Sequence, residues 1–485
     1  MDQVIPDFLR VGALRLLSQV LMAYRGLFIA ISLVPRDFGE YAILLLYTFY
    51  FSILDFGILA GLERDIPHYT GENNQAMAQT VANRGWSTYF LFSFLEMALM
   101  CLVVFIVYKN LTLSILLGLY LITDKFYRAY ESHSRINFHF QNVGKAQFIL
   151  AAMSLGSILF LLPRFQIYGV LAGFIIASIS STFFLFWQRA LRFNYDLHNL
   201  IPYIKGVIPL AIIIYSIGLF REVTLTVSAF YYDKSTIGYL AFALKIFQIC
   251  LALFPLLIQE LLRTRIYFHV AQTKGTRDLD RLLLPLGVYS MITALFWVLM
   301  YWWIDWAINY FAPQYASCIG MMKILFFSLI PLGICIVCGD YLCSHAYKLA
   351  HVVVLAWWSG IIFQVASLNT MFLNKIFSLL NIATTVVIST FIIYAIIGGY
   401  AFCKKKEISR GVLLLFGFLM PGLISFFVVA ILKNYFGWMP SYVFTHNLLP
   451  FALSTLLISS IFGIFVFTLK YNERLRILFY PQFSQ

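Results

Sequence analysis

The chain has 485 residues, 61% of them hydrophobic and only 11% charged, with a formal net charge of +13. Soluble domains carry about 25% charged residues, and a mean hydropathy of +0.85 is more apolar surface than a soluble fold of this length can hide. The composition excludes a soluble enzyme and, despite the basic balance, a nucleic-acid-binding protein; it predicts an all-α polytopic membrane protein.

In chain order, fourteen apolar stretches of spanning length fall at about 8–34, 41–62, 86–108, 111–131, 145–163, 168–189, 202–228, 236–262, 282–304, 318–343, 349–371, 376–402, 412–432 and 448–469. Each is near the ~20 residues that cross ~30 Å of hydrocarbon. The first is too long for a signal-peptide core, so no cleaved leader is expected. The termini and even-numbered connections, Lys125 counted among them, hold 23 Lys and Arg residues, against 6 in the odd-numbered ones. Cytoplasmic connections are enriched in bases, so both termini are expected in the cytoplasm. The outward loops are short; a membrane glycan polymerase or ligase, the alternative from a different class, would carry its catalytic residues on a long outward loop.

Five bases lie inside spans: Arg15 and Arg25 in the first, Arg221 in the seventh, Lys245 in the eighth and Lys323 in the tenth. A base facing lipid at mid-depth costs ~2.5–3.5 kcal/mol, so these five are expected to turn inward, onto a cationic cavity suited to anionic cargo. Helical geometry supports this for the first span, where Arg15, Ser18, Gln19 and Arg25 share an arc of about 120°. Lys245, Gln248, Gln259 and Arg263 form a narrower stripe on the eighth. Arginine stays charged at physiological pH, and its donor fork matches phosphate.

Four acids within spans, Asp55, Glu96, Glu222 and Asp340, are candidates for ion coupling or for salt bridges. Asp55 is expected to pair with one of the arginines, because bases are in excess. Glu96 reads as a polar contact between helices. Adjacent Arg221 and Glu222 splay about 100° apart on a helix and should each find its own partner.

Gly57-x-x-x-Gly61 and Gly169-x-x-x-Gly173 have the spacing of small-residue helix contacts. The Cys335-x-x-Cys338 pair, with Cys343, His345 and His351 following, lacks a recognised four-ligand zinc spacing and reads as packing. No nucleotide-binding or hydrolase motif occurs at a credible place, so no cofactor is expected and transport must draw on a gradient.

A weak internal repeat is visible. PRDFGEYAILLLYTF at 35–49 and YDKSTIGYLAFALKIF at 232–247 each join a short polar connection to a glycine, a nearby aromatic and an apolar run. Placing Gly39 on Gly238 brings Arg25 within about three residues of Arg221. Repeats of this kind are common in transporters, with substrate held at their interface.

The string at 33–81, with Phe38-Gly39-Glu40-Tyr41, Asp55-Phe56-Gly57, Gly61-Leu62-Glu63-Arg64 and Ile66-Pro67, resembles the Wzx-type polysaccharide flippases of the multidrug/oligosaccharidyl-lipid/polysaccharide exporter superfamily. YFAPQYASCIGMMKILFFSLIP at 310–331 is similar to the outer turn before that family's tenth span. The resemblance implies an N-terminal six-helix lobe over 1–198, a second over 199–403, and two further helices with a tail over 404–485. It implies a bacterial inner-membrane flippase for an undecaprenyl-diphosphate-linked oligosaccharide, working with membrane lipids and with a polymerase and chain-length regulator. A cationic central cavity would comprise Arg15, Arg25, Arg221 and Lys245. A cation-coupled multidrug antiporter of the same superfamily is the nearest alternative, and a non-transporting scaffold of the export assembly is another.

Overall fold

The structure, a computed structural model, describes residues 4–71, 74–137, 139–188, 200–251, 279–344, 350–374 and 378–402, with a few isolated positions between 417 and 427. The two last expected spans and most of the 404–485 segment lie outside the described residues. Those described are almost wholly helical, without strands. Eight helices among them are long and apolar enough to cross a membrane.

The chain clusters into two compact units. The first comprises Met1–Gly218 with Tyr232–Gly238, and the second Leu219–Tyr231 with Tyr239–Gln485.

In the first unit, α1 (Val4–Ser32) leads into α2 (Pro35–Ser52), which opens on Pro35. Proline suits this place because its fixed φ is helical and its missing N–H would have had no partner. The expected span 41–62 is not one helix. It breaks at a 3-10 turn, Ile53–Asp55, followed by Phe56 (φ 51°) and Gly57 (φ 67°), before α3 (Ile58–Gly71). Asp55 makes this break: its Oδ1 accepts the Gly57 N–H at 2.8 Å, a local bond that competes with the helix.

Next come α4 (Gln75–Tyr108), α5 (Leu111–Ile136) and α6 (Phe140–Gln188). Asn74 and Asn110 cap α4 and α5 by accepting the N–H groups of Met77 and Leu113, at 3.1 and 3.0 Å. The 49-residue α6 is two spans folded on each other at Gln166, whose φ of 49° and ψ of −128° are not helical. A Cβ at Gly169 would collide with the backbone of Leu161, and one at Gly173 with the Ile158 side chain. Gly57 and Gly61 stand likewise against Ala211 and Val207 of α7 (Leu200–Tyr231). Both glycine pairs thus serve close helix packing. One apolar core of this unit gathers Trp86, Tyr89, Tyr127 and Tyr130; another gathers Leu44, Met100, Val104 and Leu117.

The second unit contains most of α8 (Lys234–Leu251), then α9 (Leu279–Phe311), α10 (Ile319–Leu325), α11 (Leu329–Ser344), α12 (Ala350–Leu373) and α13 (Leu379–Phe402). A buried polar chain ties three of its helices: Thr224 donates to Gln364 at 2.8 Å, and Gln364 to Ser389 at 2.9 Å. Satisfied buried polar pairs of this kind fix a unique register where apolar packing alone would tolerate sliding. Cys335 and Cys338 are buried in α11, and no metal-ligating cluster occurs among the described residues.

Candidate functional site

On α1, the polar arc continues from Ser18, which is buried and donates to the Leu14 carbonyl at 2.7 Å, to Arg25. The Arg25 guanidinium lies 4.7 Å from the Phe174 ring centroid, and one terminal nitrogen donates to Ser154 Oγ at 2.9 Å. Its Nε is buried with no hydrogen-bond partner. Tyr41 and Tyr120 are its electrostatic neighbours, and no carboxylate pairs with it among the described residues. Arg25 is therefore held by a ring face and a hydroxyl, which leave its charge uncompensated. The Arg15 side chain lies outside the described residues.

In the second unit, Glu222 accepts from Gln248 Nε2 at 3.3 Å and faces the charges of both Lys245 and Arg221. Two bases thus share one carboxylate. Lys323 is paired more tightly: its ammonium is 2.5 Å from Asp305 Oδ2 and 4.8 Å from the Tyr301 ring. Asp340 sits on α11 with its side chain outside the described residues.

A charged interior cluster in the first unit joins residues expected to lie apart. Lys125, expected in a cytoplasmic connection, is only 2% exposed and sits inside the first unit. Its ammonium is 2.7 Å from Asp55 Oδ2 and 3.0 Å from Glu96 Oε2, and it donates to the Ser52 carbonyl at 3.3 Å. Asp55 therefore pairs with this lysine rather than with an arginine, and Glu96 is an ion-pair partner. Tyr215 of α7 completes the arrangement, donating its hydroxyl to Asp55 Oδ1. The signal for Lys125 was present: Leu117, Leu121, Lys125 and Ala129 recur every fourth residue of α5, all buried. The charge run after it hid that stripe, because Arg128 pairs with Asp124 at 2.6 Å and Arg135 with Glu131 at 2.5 Å, both at i,i+4.

An open cleft of about 660 Å³ lies beside the α4–α5 turn and the α6 bend, with Asn110, Thr112, Arg164 and Tyr168 in its wall. It includes none of the interior bases.

No family model matches the chain, and no curated protein does. Solved structures do. A lipid II flippase, MurJ, in an inward closed conformation matches with a TM-score of 0.69 and 15% identity, over 94% of this chain and 99% of that one. An inward-facing multidrug-resistance MATE transporter of the MOP superfamily matches with a TM-score of 0.60 and 12% identity, over 83% and 96%. A MOP superfamily transporter from Pyrococcus furiosus, described as having a binding pocket of reverse polarity, matches with 0.54 and 10%, over 85% and 96%. The chain shares the fold of these three structures, each of which is of a transporter.

Proposed function

We propose that the chain is a flippase that moves an undecaprenyl-diphosphate-linked oligosaccharide repeat unit across the bacterial inner membrane by alternating access. Both termini are cytoplasmic, and the route serves O-antigen or capsule synthesis beside a polymerase and a chain-length regulator. One observation carries this reading: Arg25, deep in α1, keeps a donor with no acceptor and has no carboxylate partner among the described residues. A guanidinium held this way is ready for an anionic oxygen, and a diphosphate supplies several in the geometry its fork prefers. Arg15 in the first unit, and Arg221 and Lys245 in the second, are the further bases proposed to bind substrate. Lys323 takes part only by exchanging Asp305 for the ligand.

The alternative, a multidrug antiporter, fits the same fold. An excess of interior bases speaks against it, since a cationic drug needs acids. The test is translocation of a prenyl-diphosphate-linked oligosaccharide by the purified chain in proteoliposomes. Arg25→Ala and Arg221→Ala should each abolish translocation while folding stays intact. Unimpaired translocation in both variants would remove these bases from the mechanism. Drug efflux without glycan translocation would replace the reading with the antiporter.

A further inference from the structure

The open cleft beside the α4–α5 turn has no part in the transport reading, yet its wall carries donors that nothing in the chain uses. We propose that it is a binding site for one anionic phospholipid, with the phosphodiester held in the cleft and an acyl chain lying between α5 and the second half of α6. The site belongs to the first unit alone and does not depend on what the chain transports.

The first ground is the chemistry of the wall. Asn110 caps α5 and also donates to the Tyr168 hydroxyl at 2.8 Å, which ties the α4–α5 turn to the α6 bend. The Tyr168 hydroxyl accepts in that bond, so its own proton remains for a ligand. Thr112, Arg164 and Gln166 stand in the same wall, and none of the three has a hydrogen-bond or ion-pair partner among the described residues. Among the residues that line the cleft, the Arg164 guanidinium is the one ionised group, with no carboxylate beside it. Donors gathered around a guanidinium suit an anion with several oxygens, and the guanidinium fork matches phosphate.

The second ground is the backbone that assembles this wall. Gln166, with φ 49° and ψ −128°, reverses the chain between Arg164 and Tyr168, so that both line one cleft. A non-glycine residue held there is strained and persists only where its surroundings fix it; such strain collects at binding sites.

The third ground selects a lipid over a soluble anion. The cleft lies where α4 ends at Tyr108 and α5 begins at Leu111, the end of both spans, where basic and aromatic side chains meet head groups. Leu116 of α5 and Ala172 of α6 line it too. About one helical turn further along, Leu119 and Ile176 are exposed, at 42% and 40%. The Tyr120 and Phe174 rings, 5.3 Å apart, show that the two helices stay side by side at this depth. An apolar path therefore continues the polar cleft along the span. A soluble anion would use the cleft and leave that path empty, whereas a phospholipid fills both.

Native mass spectrometry of the purified full chain in a non-ionic detergent tests the site, with phosphatidylglycerol and phosphatidylcholine titrated in turn. Wild type should hold one phosphatidylglycerol about tenfold more tightly than phosphatidylcholine, the effect of one charge-assisted bond. Arg164→Gln should abolish that preference, and Tyr168→Phe, which loses one O–H, should weaken it less. Arg36→Gln removes an exposed base outside the cleft and should leave it unchanged. Both arginines are exposed, so neither substitution disturbs the core. Equal binding of the two lipids by wild type, or equal losses in the two arginine variants, would reduce the effect to general surface charge and overturn the site. Glycerol 3-phosphate that binds as tightly as the lipid would give the cleft to a soluble anion and overturn the lipid assignment.

Discussion

Gly39 and Gly238 meet in a reciprocal backbone contact. A Cβ on Gly39 would strike the carbonyl of Lys234, and a Cβ on Gly238 the carbonyl of Pro35. Each glycine thus covers the carbonyl four residues before the other, so the first turns of α2 and α8 present the same surface to each other. A self-complementary contact of this form is what a local two-fold relation produces. Beside it, the Lys234 ammonium lies 2.9 Å from Glu40. These are also the two glycines that the weak repeat aligns in sequence.

The reciprocity makes the two glycines equivalent in mutation. Gly39→Ala and Gly238→Ala should each destabilise the chain by about 1–3 kcal/mol, since the obstruction is backbone and cannot swing away. Gly156→Ala is the control: nothing lies within 4 Å of its would-be Cβ, and alanine is the better helix former by about 1 kcal/mol. Thermal unfolding in detergent should lower the transition for the first two and leave it level or raised for the third. Equal tolerance of all three would contradict the contact.

Lys125 gives a second prediction through what its loss leaves behind. Lys125→Met buries two carboxylates without a cation, and removing one side of a buried ion pair costs about 3–5 kcal/mol. Adding Asp55→Asn and Glu96→Gln removes the stranded charge and should recover most of the loss. Expression and melting temperature of the single and triple variants measure this. A single variant as stable as wild type would mean that Lys125 is not the ammonium these acids share.

How far the sequence disclosed this arrangement differs by residue. The glycine spacings were legible because small residues at four-residue intervals have one main use in apolar helices. The break after α2 was not, since a hydropathy window averages over Asp55-Phe56-Gly57 and cannot see a carboxylate bonding the N–H two residues on. A linear count of charge places Lys125 in a connection, whereas burial follows the helical face that Leu117 and Leu121 mark. Lys323 was legible as an interior base, but its partner Asp305 lies on another helix, and one sequence carries no signal for such a pairing.

Acid should act on the N-terminus of α8. Exposed Asp233 accepts the N–H groups of Ser235 and Thr236 at 3.0 and 3.3 Å and the Thr236 hydroxyl at 2.6 Å. These bonds, the Thr236 hydroxyl first, hold its carboxyl below the usual carboxylate range. A depressed folded-state pKa means the stabilisation is complete above the unfolded value of about 3.9 and is lost as pH falls through the lower folded value. Asp233→Ala should weaken the cap by about 1 kcal/mol at neutral pH, and that difference should shrink in strong acid. Melting temperatures of both chains from pH 7 downward test this; a gap that widens on acidification would reverse the sign.

Arg25 separates charge from shape. Arg25→Lys keeps a cation but loses the planar group that lies over Phe174 and the fork that grips phosphate in two places. Arg25→Ala removes a charge-assisted bond worth about 1.5–3 kcal/mol, roughly a tenfold to hundredfold loss in affinity at 1.4 kcal/mol per factor of ten. The lysine variant should fall between alanine and wild type if phosphate geometry matters, and match wild type if only charge does. Phe174→Leu should weaken binding less than either Arg25 variant, because the ring positions the guanidinium without touching ligand. Titration calorimetry with a short-chain prenyl diphosphate ranks the four proteins. An alanine variant that binds as tightly as wild type would leave the uncompensated guanidinium of α1 without a ligand.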